Sequence, residues 1–307
     1  MMSLPKTKQK TAAATATILF LLITFPVFAQ TTILKSGIEE IIAGKKAEIG
    51  VAICEIKSKD TLNINGDARL PMASVFKFHI ALAVLSKVDS GQFNLNQEIY
   101  VKKTDLLPDT WSPMREKYPN GEVKLKLSEI LKYTVSESDN NGCDILLRLI
   151  GSTKTVNDYM HKIGIKAVSI QANEEEMHKD WNIQFSNWTT PKAATKLLTD
   201  FYDGKLLSKE SYDFLWTIMS ETTGGKNRIK GQLPEETWVA HKTGTSDTNE
   251  FGITAAINDI GIVTLPDGRH LAISIFISNS KESHEVNEKI ISDISKMAWD
   301  YFVRTIK

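Results

Sequence analysis

A serine three residues ahead of a lysine on a helix sets a nucleophile and a base on one face, the serine near backbone N–H groups that favour developing negative charge. The chain carries this spacing at Ser74–Lys77, within Pro71-Met72-Ala73-Ser74-Val75-Phe76-Lys77, and again at Ser3–Lys6 and Ser278–Lys281. Spacing alone therefore decides nothing. The surroundings of Ser74–Lys77 set it apart: Val75 to Val88 is almost continuously apolar and reads as a helix buried on all sides, so Lys77 has little solvent face. Burying an unpaired ammonium costs on the order of several kcal/mol or shifts its pKa. A buried lysine beside a helix-start serine is a base candidate beside a nucleophile candidate.

Further segments could complete such a site. Ser138-Asp139-Asn140 is by itself an ordinary polar loop or helix cap. Lys242-Thr243-Gly244-Thr245 follows the strand-like Trp238-Val239-Ala240-His241. A cationic strand with hydroxyls at alternate positions, and a glycine permitting close backbone approach, can hold a carboxylate and offer an N–H donor. Glu174-Glu175-Glu176 is in the plain reading a solvated acidic face.

The elements that must position these residues follow from periodicity. Ile33 to Ala43 reads as a helix, and Ile49 to Ile56 with Thr61 to Asn65 as a hairpin. From about Ser90 to Met219 helical patterns dominate: Leu127 to Thr134, Asp144 to Ile150, Val156 to Ile163 and Pro191 to Phe201. Trp238 to His241, Gly252 to Leu265 and His270 to Ser278 then read as antiparallel strands, and Val286 to Val303 as a closing helix. Strands at both ends around a helical block imply an α/β (α+β) architecture. One antiparallel sheet, built from both chain ends and flanked by helices, carries an inserted all-α lobe, with the site in the cleft between them. The expected division is an α/β lobe at about 30–70 and 226–307 and an α lobe at about 71–225.

Residues 1–29 read as a secretory signal peptide: Lys6, Lys8 and Lys10 precede an apolar run from about Ala12 to Phe28, with small Ala29 at the expected cut. Export would place the rest in the periplasm, without stable membrane association. Without those lysines, the 37 basic residues fall to 34 against 37 acids, which gives no footprint for nucleic acid. Cys54 and Cys143 could pair by count, but both sit in apolar stretches and are expected to be free buried thiols. No His, Cys and carboxylate cluster has metal-ligand spacing, so neither a metal nor another cofactor is expected.

Taken together and in this order, Ser74-Val75-Phe76-Lys77, Ser138-Asp139-Asn140 and Lys242-Thr243-Gly244 resemble the active-site set of penicillin-recognising serine enzymes. The resemblance spans the whole chain after the leader and is to class A serine β-lactamases. Thr110-Trp111-Ser112-Pro113, Asn187-Trp188-Thr189-Thr190-Pro191 and Thr222-Thr223-Gly224 point to the extended-spectrum branch typified by the PER and VEB enzymes.

The resemblance implies a monomeric hydrolase of penicillins and cephalosporins with Ser74 as nucleophile, Lys77 and Ser138 handling protons, and Glu174 activating the deacylating water. Asn140 would bind the substrate's acylamide group. Lys242, Thr243, Gly244 and Thr245 would bind its carboxylate and complete the oxyanion hole, with Arg228 in support. Trp111 would stack on substrate at the cleft mouth. Where many class A enzymes have an asparagine four residues after the base, this chain has His178, which leaves the loop's shape open. Ala73 and Ser246 stand where class A carbapenemases carry a disulfide, so carbapenem turnover is not indicated. A D-alanyl-D-alanine peptidase would share the Ser, Lys and carboxylate anchor but lack the Glu174 loop. A non-enzymatic β-lactam sensor would acylate and stop.

Overall fold

The computed structural model describes residues 27–305, with side chains from Thr32 onward. Most of the expected leader therefore lies outside the described residues. Helix α1 (Val27–Ile42) begins ahead of Ile33 and runs through the expected cut. It leads into the hairpin of β1 (Glu48–Glu55) and β2 (Thr61–Ile64), then short β3 (Leu70–Pro71) and α2 (Phe76–Asp89). The helical block follows: β4 (Glu98–Val101), α3 (Pro113–Lys117), β5 (Val123–Lys126), α4 (Leu127–Ser136), α5 (Asn140–Ile150), α6 (Thr153–Lys162), β6 (Val168–Ser169), α7 (Glu174–Lys179), β7 (Trp188–Thr189), α8 (Pro191–Tyr202) and α9 (Lys209–Ser220). The chain returns as β8 (Val239–Thr245), β9 (Thr254–Thr264), β10 (His270–Ser280) and α10 (His284–Arg304).

Among the described residues the main sheet is antiparallel in the order β2–β1–β10–β9–β8, so the two chain ends meet at the β1–β10 pairing, where Val51 faces Ile275. The period of two along a strand divides these residues between two cores. Ile49, Val51 and Ile53 join Leu271, Ile273, Ile275 and Ile277 beneath Leu34 and Ile38 of α1 and Ile290, Ile291 and Ile294 of α10. Cys54, Ala272 and Phe276 face the other way, into the core built on α2. With both faces covered, these strands read as continuous apolar runs, which is why the sequence marks them so clearly. Cys54 and Cys143 are buried free thiols, as expected.

Helix α2 is the axis of the helical block: Phe76 to Leu85 are all buried, and Phe78 packs edge-on against Phe201 of α8 at 5.6 Å between ring centroids. The start of this helix differs from the continuous helix expected from Val75. A tight 3-10 turn, Ala73–Val75, precedes α2, with Ala73 in the left-handed region at φ 42°. β4–β5 and the small β3–β7–β6 patch form where the sequence reads as connections, because their strands are too short to show alternation. Among the described residues no helix is long and apolar enough to cross a membrane.

Truncating Phe78 to Ala removes a fully buried ring and should cost about 3–5 kcal/mol, lowering the melting temperature by roughly 10 °C. A melt within a degree or two of the parent would contradict this packing.

Candidate active site

Ser74 sits on the 3-10 turn and is only partly exposed, while Lys77 one turn on is wholly buried. An ammonium has three N–H donors. Lys77 spends them on Ser74 Oγ (2.9 Å), the Ser138 carbonyl (2.8 Å) and Asn140 Oδ1 (2.5 Å). Its charge is met by Glu174, whose Oε1 lies 2.8 Å from Nζ, off the hydrogen-bonding direction. That oxygen is buried and, among the described residues, has no hydrogen-bond donor.

The other predicted residues converge from separate elements. Ser138 stands just before α5 with φ 59°, and its hydroxyl accepts from Lys242 Nζ at 2.9 Å. Lys242, on β8, also donates to the Thr243 carbonyl at 3.0 Å. Burial, and then the nearby Lys77 charge, hold the Lys242 pKa well below the ordinary lysine value. Asn140 opens α5 and donates through Nδ2 to Thr110 Oγ1 at 2.6 Å. Thr243 is nearly buried against Gly225, and Thr245 is exposed at the strand end. Gly244 lies so close to the serine turn that a Cβ there would fall 2.4 Å from the Met72 carbonyl oxygen.

The cleft has a volume of about 590 Å³ and is lined by Ser74, Trp111, Asn140, Glu174, His178 and Thr245. A larger hollow of about 720 Å³ between α1 and α10 holds none of the predicted residues. Trp111 is 61% exposed, its ring fixed by Nε1 donating to the Glu137 carbonyl at 2.8 Å. Arg228 is 3% exposed, far from a solvated charge. It donates to Thr245 Oγ1 (2.7 Å), the Gly244 carbonyl (3.0 Å) and the Asn258 carbonyl (2.9 Å), and pairs with Glu288 at 3.0 Å. Its geometry stiffens the end of β8. His241, an ionisable neighbour of Lys242 in sequence, is buried and paired with Asp259 at 2.9 Å.

Several buried polar residues hold the site without being among the predicted site residues. Asn258 on β9 donates to the carbonyls of Pro71 (2.8 Å) and Met72 (3.0 Å) and accepts from Ile277 N (3.1 Å), clamping the serine turn to the sheet. Asp139 accepts from Gly142 N, Met114 N and Ser112 Oγ, tying α5 to the loop that bears Trp111; burial raises its pKa. Asn187 closes the neck of the loop carrying Glu174, accepting from the Gln171 and Ala172 amides and donating to the Ala172 carbonyl. An isolated Asn or Asp reads as a surface turn residue. Only the fold reveals that these are buried.

This arrangement, a serine–lysine pair under a sheet edge and faced by a loop glutamate, is that of a serine acyl-transfer site. The model of the β-lactamase enzyme family matches residues 33–302, and the chain belongs to that family. Its relatives include beta-lactamase VEB-1 of Pseudomonas aeruginosa, 56% identical over 90% of this chain and 92% of that protein. Extended-spectrum beta-lactamase PER-1, from the same organism, is 42% identical over 92% and 91%. The crystal structure of TLA-3 extended-spectrum beta-lactamase superposes with a TM-score of 0.88 at 55% identity, covering 89% of this chain and 99% of that one. These matches identify a class A serine β-lactamase, similar to relatives that bear the extended-spectrum name.

Replacing Asn258 by Ala would strip partners from the Pro71 and Met72 carbonyls and the Ile277 amide. It should cost about 3 kcal/mol or more and lower acylation at least 10-fold by loosening the Ser74 turn. Full activity with unchanged stability would show that the clamp is dispensable.

Proposed function

We propose that the protein hydrolyses the β-lactam ring of penicillins and cephalosporins through a Ser74 acyl-enzyme, conferring resistance to these antibiotics. The observation that carries this reading is the buried Glu174 Oε1 beside Lys77 and Ser74, which has no hydrogen-bond donor among the described residues. An acyl-enzyme without a base stalls, as in a peptidase or sensor reading of the same serine. An ionised acceptor over the ester can take a proton from attacking water.

In the acylation step Ser74 Oγ bonds to the lactam carbonyl carbon and its proton passes into the Lys77–Glu174 network. The carbonyl oxygen becomes an oxyanion held by the backbone N–H groups of Ser74 and Thr245, an arrangement worth about 10²–10³ in rate per donor. The C–N bond breaks as the nitrogen takes the Ser138 hydroxyl proton, which Lys242 replaces; the proton given up by Ser74 passes on from the Lys77–Glu174 network to restore Lys242, leaving Glu174 ready to act as base. Lys242, with Thr243 and the Arg228-braced Thr245, fits recognition of the substrate carboxylate. Asn140 keeps one amide hydrogen for the acylamide carbonyl, since Thr110 takes the other. Water then adds to the ester carbonyl, Glu174 takes its proton and returns it through Lys77 to the Ser74 oxygen, which leaves as a hydroxyl.

The exposed Trp111 and His178 border the cleft and fit stacking on a bulky side chain, which supports turnover of extended-spectrum cephalosporins. Relatives bearing the extended-spectrum name favour the same assignment. The basic-then-apolar leader supports export to the periplasm, and the soluble substrates need no partner chain.

With benzylpenicillin the protein should open many rings per molecule while its intact mass returns to that of the free enzyme. Glu174→Ala should acylate on Ser74 and stall, so that the adduct persists with deacylation slowed about 1,000-fold or more. Normal turnover by that variant would remove Glu174 from the base role.

A further inference from the structure

We infer that Asp259 is a positioning residue for recognition of the substrate carboxylate: one buried carboxylate grips the sequence neighbours of both Lys242 and Arg228, fixes the two cations at the end of β8, and places a counter-charge behind Lys242. This rests on the proposed carboxylate-binding role of that strand. Asp259, on β9, is wholly buried and accepts from His241 Nδ1 at 2.9 Å through Oδ1 and 3.0 Å through Oδ2. Oδ2 also accepts from the Ile229 amide at 3.2 Å. His241 immediately precedes Lys242, and Ile229 immediately follows Arg228. One side chain therefore ties the strand that carries Lys242 to the segment that carries Arg228. The sheet makes room for the pair: Gly261 lies opposite His241, and a Cβ there would fall 2.6 Å from His241 Cβ.

The pair keeps a negative charge inside the sheet. His241 Nε2 is buried and, among the described residues, has no hydrogen-bond partner, so a second ring proton would have nothing to bond. The ring is therefore neutral and donates through Nδ1, which leaves the charge of Asp259 uncancelled. The strand period of two sets His241 and Asp259 on the α10 side with Val239 and Ile257, and Lys242 on the α2 side with Ala240 and Ile260. Asp259 thus acts on Lys242 through the sheet, where the dielectric is low.

The groups around Asp259 are mostly cationic. Arg228 and Lys230 stand on the segment after α9, Lys242 on β8, and Glu288 on α10 is committed to Arg228 and His284. From β10 the strand partner is apolar Ile275, and across the cleft Lys77 and Glu174 pair with each other. Burial, and then the Lys77 charge, lower the Lys242 pKa; Asp259 pulls it back up more strongly than Glu174 does. Burial lowers the Lys230 pKa too, again against Asp259. Binding a substrate carboxylate needs Lys242 charged. Without the Asp259 charge Lys242 gives up its proton at a lower pH.

The test compares the parent with D259N, which keeps the shape and an oxygen for the Ile229 amide but removes the charge. The probes are benzylpenicillin and its methyl ester, which lacks the anion, and acylation of Ser74 is followed by intact mass on folded protein. For benzylpenicillin kcat/KM should fall about 10-fold, mostly through KM, while acylation by the ester should change less than about 3-fold. The alkaline limb of kcat/KM for benzylpenicillin should move down by about one pH unit. Equal losses with the two probes would mark a general loosening of the sheet and overturn the inference, as would an unmoved alkaline limb. Should D259N fail to fold, the ¹⁵N spectrum of His241 in the parent decides. A neutral ring protonated on Nδ1 at pH 7 is expected, and a doubly protonated ring, which would cancel the Asp259 charge, overturns the inference. A parent that turns over no benzylpenicillin would instead sink the hydrolase reading itself.

Discussion

An ammonium with no solvent, set in the apolar helix at the centre of the helical block, is the constraint around which this protein is organised. Lys77 is tolerable there only because its donors meet Ser74, Ser138 and Asn140 and its charge meets Glu174. These partners come from the turn before α2, the start of α5 and the start of α7, so the ion fixes the mutual placement of three chain segments. Removing one side of such a buried pair typically costs about 3–5 kcal/mol, because the other side is left uncompensated. The residues proposed to perform the chemistry are thus also those that satisfy the buried charge.

The rest of the structure keeps that cluster from drifting. The sheet supplies Gly244 close against the Met72 carbonyl, Asn258 clamping Pro71 and Met72, and Arg228 bracing Thr245. The loop that carries Glu174 is fastened at its neck by Asn187 and at α7 by Asp144. Each fastening is a buried polar side chain satisfying backbone groups that secondary structure leaves unpaired. Left-handed Ala73 and Ser138, at φ 42° and 59°, mark where the backbone is held in a disfavoured conformation next to the reacting groups.

The parts legible in the sequence were those with a repeating pattern or a joint motif. The sheet strands and α2, α8 and α10 announced themselves because two-sided burial or a 3.6-residue period leaves a strong apolar signature. Ser74, Lys77, Ser138 and Lys242 stood out through their combination and the burial of Lys77. The short strands β3, β6 and β7 are set by tertiary pairing and leave no alternation to read. Asn258 and Asp144 were invisible, and Asp139 and Asn187 figured only within motifs, for a related reason: nothing in an Asn or Asp reports that it is buried or which groups the fold will bring to it. Arg228 could be placed near the site by analogy of position, but its burial and its grip on β8 follow only from the packing of α10 against that edge.

The most direct test of the central claim is the rate at which benzylpenicillin acylates Ser74 in Lys77→Met, followed by intact mass on folded protein. Methionine preserves the bulk of the buried side chain while deleting the ammonium that aligns Ser74, Ser138, Asn140 and Glu174. Acylation at least about 1,000-fold slower than in the parent is the expected result, in line with losses seen when a group that acts as part of a catalytic unit is removed. Acylation within a few-fold of the parent would show that the Lys77 network is not what makes Ser74 reactive.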